Sequence, residues 1–99
     1  MGSSPILPII FMIKGYLYIL ENKIKNKFYI GSSEDVDRRF SEHLSGKVYS
    51  TKRLLPLELI FKQEFENIDI ARKIELRLKK MKRKDYISKI IKDGYIKIR

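Results

Sequence analysis

The sequence predicts a small α+β domain built on a three-stranded antiparallel sheet flanked by helices. Three features predict it. Two runs rich in aromatic and branched residues, Gly15-Tyr16-Leu17-Tyr18-Ile19-Leu20 and Lys27-Phe28-Tyr29-Ile30-Gly31-Ser32, are separated by six polar-leaning residues that include two asparagines. Such runs suit a pleated, half-buried surface, and such a linker closes a hairpin. A later run, Leu57 to Phe65, sets Leu57, Leu59, Phe61 and Phe65 toward one face and polar residues toward the other, as in a strand. Apolar residues at helical spacing, Val36, Phe40 and Leu44, then Ala71, Ile74, Leu78 and Met81, supply the helices.

Taken in order, the hairpin strands place Tyr18 and Tyr29 where both can face one side. Gly31 ends the second strand, where a missing side chain lets backbone or ligand come close. Ser32-Ser33-Glu34-Asp35 is a helix start, since its hydroxyls and carboxylates can accept from the free N–H groups of a first turn. The helix from about Val36 to Leu44 aims Arg39 and His43, one turn apart, at the border of core and solvent. Gly46 suits its C-terminal cap. Lys47 to Pro56 reads as a basic loop. Asn67 caps a helix from Ile68 to about Arg83, with Glu75 on the shoulder of its apolar stripe. Asp85 to Lys92 suggests a further helix stopped by Gly94, and Tyr95 to Arg99 alternates like a short strand or tail.

Ninety-nine residues make one domain with a modest core. It is expected over residues 14–93, with 94–99 a tail and 1–13 an expression scar or disordered extension. With no cysteine, there is neither disulfide nor thiolate metal site, which fits a cytoplasmic protein. The apolar run Ile6 to Ile13 falls far short of the ~20 residues that span a bilayer. It also lacks the basic start and cleavage site of a signal peptide.

The net charge of +10 is uneven: residues 1–46 hold six basic and five acidic side chains, residues 47–99 sixteen and seven. Such asymmetry points to an anionic partner, nucleic acid before membrane. An exposed lysine-rich surface without a partner is the plainer alternative. Lys47, Ser50, Thr51, Lys52 and Arg53 set cations beside hydroxyls, a mixture that contacts phosphates, though an ordinary exposed loop reads the same way. Arg72, Lys79 and Lys82 extend the basic face along the later helix.

Tyr16-Leu17-Tyr18, a ten-residue gap, and Tyr29-Ile30-Gly31 resemble the paired signature of the GIY-YIG nucleases, of the short single-domain, excision-repair-nuclease-like type. Asp35 to His43 resembles the family's helix with an arginine and a histidine four residues on, and Ala71 to Glu75 its glutamate helix. Tyr16 and Leu17 stand where the motif has glycine and isoleucine, conservative changes in a strand. The resemblance implies an endonuclease of DNA in which Tyr18 is the base or water-positioner, Tyr29 its support, Arg39 the catalytic arginine and Glu75 the metal ligand. A partner protein or homodimer for targeting, and nucleoid association in a bacterium, are further expectations that the residues themselves leave open.

The residue chemistry is compatible with this. Cutting a phosphodiester requires a deprotonated water, fixed cations against the growing charge, and a stabilised leaving oxygen. A single carboxylate with water and phosphate oxygens can hold Mg²⁺ or Mn²⁺, and Glu75 is the best candidate. Arg39 can clamp the phosphate with its planar fork, and His43 can assist by hydrogen bonding or proton transfer. A tyrosine titrates near 10, so Tyr18 needs a nearby cation or metal to act as base. Plainer roles exist for each: Glu75 paired with Lys79 or Arg72, the tyrosines as sheet aromatics, Arg39 at the surface, His43 packed against backbone. The expected function is a divalent-metal-dependent endonuclease that nicks one strand at a time with little base specificity. Its rival is a non-catalytic DNA- or RNA-binding module.

Overall fold

A computed structural model describes residues 13–97. Strands β1 (Gly15–Asn22), β2 (Lys27–Ser33) and β3 (Glu58–Phe65) form one antiparallel sheet in the order β2-β1-β3. Helices α1 (Val36–Leu44), α2 (Tyr49–Lys52), α3 (Ile68–Met81) and α4 (Lys84–Asp93) complete the fold. The expected α+β architecture is therefore present.

The centre belongs to β1 because its apolar run does not alternate. Leu17 to Leu20 are all at most 1% exposed, which requires cover on both faces of the sheet. Leu17 and Ile19 pack with Phe61, Phe65, Ile74 and Leu78 beneath α3 and α4. Tyr18 and Leu20 pack on the opposite face with Val36 and Leu57, joined by the half-buried Tyr29 and Phe40. Gly15 brings α3 close: a Cβ there would lie 2.4 Å from Ile68 Cα.

Strand β3 corrects the expectation of a single inward face. Ile19 pairs with Phe61 but Leu20 with Leu59, so Ile60 is an inserted residue. The bulge turns Phe61 and Phe65 toward α3, and Leu57 and Leu59 toward Tyr18. One strand thereby feeds both cores.

Helix α1 has the expected bounds. Asp35 caps it by accepting from the Arg38 N–H at 3.1 Å. It closes with the Gly46 N–H on His43 O and the Lys47 N–H on Glu42 O, both at 3.1 Å, the bond pair of a Schellman cap. Its inward stripe differs from expectation: Leu44 is 49% exposed, and His43 is fully buried in its place. Spacing of i, i+4, i+7 from Val36 through Phe40 selects His43, and the polar ring is accepted because both its nitrogens find partners.

The stretch expected to be loop holds the single turn α2. Buried Asn22 ties it to the hairpin, donating to Leu54 O at 2.5 Å and accepting from the Lys25 N–H at 2.8 Å. Helix α3 begins as expected, with Asn67 accepting from the Ile70 N–H at 3.0 Å, but stops at Met81, because Lys82 adopts left-handed geometry (φ 50°) and turns the chain into α4. Gly94 ends α4. Tyr95 to Lys97 form no strand, and the rest of the expected tail lies outside the described residues, as do residues 1–12. Ile96 belongs to the core, held by its N–H on Gln63 Oε1 at 2.6 Å.

Gly15→Ala forces β1 away from the start of α3. We expect destabilisation of about 1–3 kcal/mol, read as a lower denaturant midpoint; an unchanged midpoint would contradict this packing.

Candidate active site

Strand β2 is an edge of the sheet, and the site straddles that edge. Register places Tyr18 opposite Gly31 and Leu20 opposite Tyr29, so both phenols leave the same face, as expected. Leu17 opposite Ser32 sends the Ser32 side chain to the other face, toward α3. There its hydroxyl donates to Glu75 Oε1. Between these groups lies a recess of about 330 Å³ lined by Tyr18, Tyr29, Ser32, Arg39, Arg72 and Glu75.

Gly31 has a specific reason to be glycine. A Cβ there would sit 2.4 Å from both Cζ and Oη of Tyr18. The close approach read from the sequence is made by the phenol itself, not by backbone or ligand.

His43 is not at the core–solvent border. It is fully buried behind Tyr18, with Nε2 2.9 Å from the phenol oxygen and Nδ1 2.6 Å from Thr51 Oγ1. The Tyr18 and Tyr29 rings meet it edge-on at 5.7 and 5.2 Å. Burial, and secondarily the charge of Arg39, lowers the pKa of the imidazole, so it stays neutral at pH 7.

The phenol of Tyr18 is pushed up to about 12, chiefly by burial and then by Tyr29. Arg39 pulls the other way but does not win. Arg39 therefore does not by itself supply the lowering that a tyrosine base was expected to need, and with this cation alone beside it the phenol is protonated at neutral pH. Burial opposes the charge of Arg39, but its bond to Glu42 and the neighbouring Tyr18 oxygen more than compensate, so it remains a fixed cation. One of its arms holds Glu42 at 3.1 Å.

Glu75 has a 17% exposed side chain, and its Oε2 accepts from Lys79 Nζ at 2.7 Å. The ion pair considered for it thus forms, while the same carboxylate faces the recess. Lys79 is committed to Glu75 and to the face of Tyr29, 5.2 Å from the ring centre, rather than free for phosphate. Among the described residues no group of three His, Asp or Glu could hold an ion. A hard cation such as Mg²⁺ or Mn²⁺ does not require one, because it keeps several waters and takes one or two carboxylates plus substrate phosphate. Each Glu75 oxygen retains a lone pair beyond its present bond, so the donor set fits that arrangement.

The expected phosphate contacts divide. Lys47, Ser50, Lys52 and Arg53 are exposed around α2, Arg72 lines the recess, and Lys82 lies exposed at the end of α3. Thr51 is a correction: it is fully buried, with its hydroxyl on His43, and reaches no phosphate. Sequence reasoning missed Ser32 as a partner of Glu75, a pairing across 43 residues that no local pattern announces.

Comparison with known proteins gives the chain a family. Residues 14–89 match the family model described as the GIY-YIG catalytic domain. The chain is 39% identical over 71 residues to a UPF0213 protein of Streptococcus pneumoniae, covering 71% of each. It is 35% identical over 82 residues to one of Listeria welshimeri, covering 82% of this chain and 83% of that one. A solution NMR structure of a UPF0213 protein from Bacillus halodurans superposes with a TM-score of 0.51 at 32% identity, covering 82% of this chain and 86% of the other. Family model, relatives and fold converge, and the chain belongs to the GIY-YIG family, whose catalytic domain is of nuclease type.

Proposed function

We propose that this chain is a Mg²⁺- or Mn²⁺-dependent endonuclease that hydrolyses phosphodiesters of DNA, one strand per binding event. One observation carries the reading: two phenols, a guanidinium and a carboxylate from β1, β2, α1 and α3 line one recess. An arrangement that only bound phosphate would gain little from a half-buried carboxylate at its centre.

In this reading the attacking water sits against the Tyr18 oxygen. As the water attacks phosphorus, its proton passes to that oxygen, and the phenol's own proton passes to His43 Nε2, 2.9 Å away. The relay makes a high phenol pKa workable, since free phenolate never accumulates. Tyr29 orients the phenol and its water. Arg39 meets the charge that grows on the phosphate with a cation already in place. Glu75 would hold the divalent ion, and the chemistry that ion would supply there is Lewis-acid stabilisation of developing negative charge. Arg72 and the exposed cations of α2 hold flanking phosphates, so affinity falls with salt and carries little sequence preference. A single recess of this kind cuts one strand, and both strands require a dimer or a second visit.

Supercoiled plasmid with Mg²⁺ should give nicked circles, and EDTA should stop the reaction. Glu75→Ala should abolish nicking while DNA binding survives; nicking that persists in a clean preparation would remove the metal role. Arg39→Ala should slow single-turnover cleavage about 100- to 1000-fold, the cost of losing a preorganised charge.

The pH profile follows from the direction of the His43 shift. A lowered pKa means that the neutral, proton-accepting imidazole persists below 6.5 and is lost only as pH falls through the folded-state value. Single-turnover rates should therefore not halve at pH 6.5 but further down. A half-maximum at or above pH 6.5 would contradict the relay.

A further inference from the structure

Thr51 is left without a task by the hydrolytic reading, and the inference drawn here rests on that reading. It sits on α2, outside the recess, with no exposed surface. Its Oγ1 is 2.6 Å from His43 Nδ1 and 3.4 Å from the carbonyl oxygen of Val48. With His43 Nε2 on Tyr18, a line of polar atoms runs from the backbone of α2 through the core to the phenol.

The chemistry of the neighbours sets the direction of this line. The Arg39 guanidinium beside the phenol carries only N–H donors, so it can offer the Tyr18 oxygen nothing but a proton. Within the protein the acceptor nearest the phenol's own proton is then Nε2, at 2.9 Å. A neutral imidazole that accepts at Nε2 carries its proton on Nδ1. That proton meets Thr51 Oγ1, and the threonine proton turns to Val48 O.

We propose that Thr51 is a positioning residue for the hydrolysis: by accepting the Nδ1 proton, it holds His43 in the tautomer whose Nε2 can take the proton of Tyr18. Without that acceptor the buried Nδ1–H is unpaired, and the other tautomer, donating from Nε2 to the phenol oxygen, becomes the better-satisfied one. In that tautomer Tyr18 has nowhere to send its proton. The threonine touches neither substrate nor metal and acts only through the ring.

The chain has one histidine, so the imidazole ¹⁵N signals of the full-length labelled protein belong to His43 without assignment. In the wild type, free of DNA and metal, they should report a proton on Nδ1 and none on Nε2. Thr51→Val should shift the proton toward Nε2, and Thr51→Ser should restore it. Single-turnover nicking should fall about 100-fold or more in Thr51→Val, the usual weight of a positioned proton acceptor, with KM little changed, and recover in Thr51→Ser. A wild-type ring protonated on Nε2 would overturn the proposal, even if Thr51→Val failed to fold. So would a Thr51→Val protein that keeps the Nδ1 proton, or one that swaps tautomer and cuts at the wild-type rate. A wild type that never cuts would sink the hydrolytic reading, whereas the tautomers would still show whether Thr51 governs His43.

Discussion

The hydrogen bond between Tyr18 and His43 is the constraint around which this structure is arranged. The imidazole of His43 has no exposure, so its Nε2 must find a partner inside the protein, and the phenol of Tyr18, itself 1% exposed, is that partner at 2.9 Å. That need fixes α1 against the sheet, since the ring must arrive from position 43. It requires Gly31, since any Cβ there would occupy the space of the phenol. It also draws α2 inward, since the second ring nitrogen needs Thr51. Packing and candidate chemistry are thus the same contacts seen from two sides: Tyr18 is at once one of the largest buried side chains and a wall of the recess.

The second structural requirement is that groups from both faces of the sheet meet. They do so at the β2 edge, beside Gly31 and Ser32, beyond which no further strand of the described residues separates the layers. The phenols come from the α1 side, and Glu75 comes from the α3 side with Ser32 as its anchor. A central strand could not host such a meeting. Electrostatics there are graded rather than simply positive: Arg39 and Lys79 each hold a carboxylate, while Arg72 and the α2 cations are exposed. In the proposed reaction the paired cations would shape the catalytic centre and the exposed ones would gather the polyanion.

Much of this was legible in the sequence because it rests on local periodicity. The hairpin strands, α1 and the start of α3 follow from aromatic runs, apolar spacing and the caps at Asp35 and Asn67. The four recess-lining residues named as catalytic were legible from resemblance and order rather than from any single pattern. What escaped is what periodicity does not encode. The inserted Ile60 divides one alternating strand between two cores, and an alternating pattern alone would not show it. A single helical turn such as α2 has no period, so Thr51 read as a basic-loop hydroxyl rather than a buried partner. Leu44 and His43 are both compatible with the stripe that begins at Val36, and hydrophobicity favoured the wrong one because the ring's partners lie at positions 18 and 51. Long-range satisfaction of polar groups decided each case.

In the proposed reaction Tyr18 is a chemical participant rather than a packed aromatic, and Tyr18→Phe separates the two with the least disturbance. It keeps the ring over Gly31 and removes only the hydroxyl. Single-turnover nicking of plasmid DNA with Mg²⁺, measured alongside the unfolding midpoint and DNA affinity, is the direct test. The expected result is a folded, DNA-binding protein whose nicking falls to the level of the metal-free control. A Tyr18→Phe protein that nicks at the wild-type rate would contradict it.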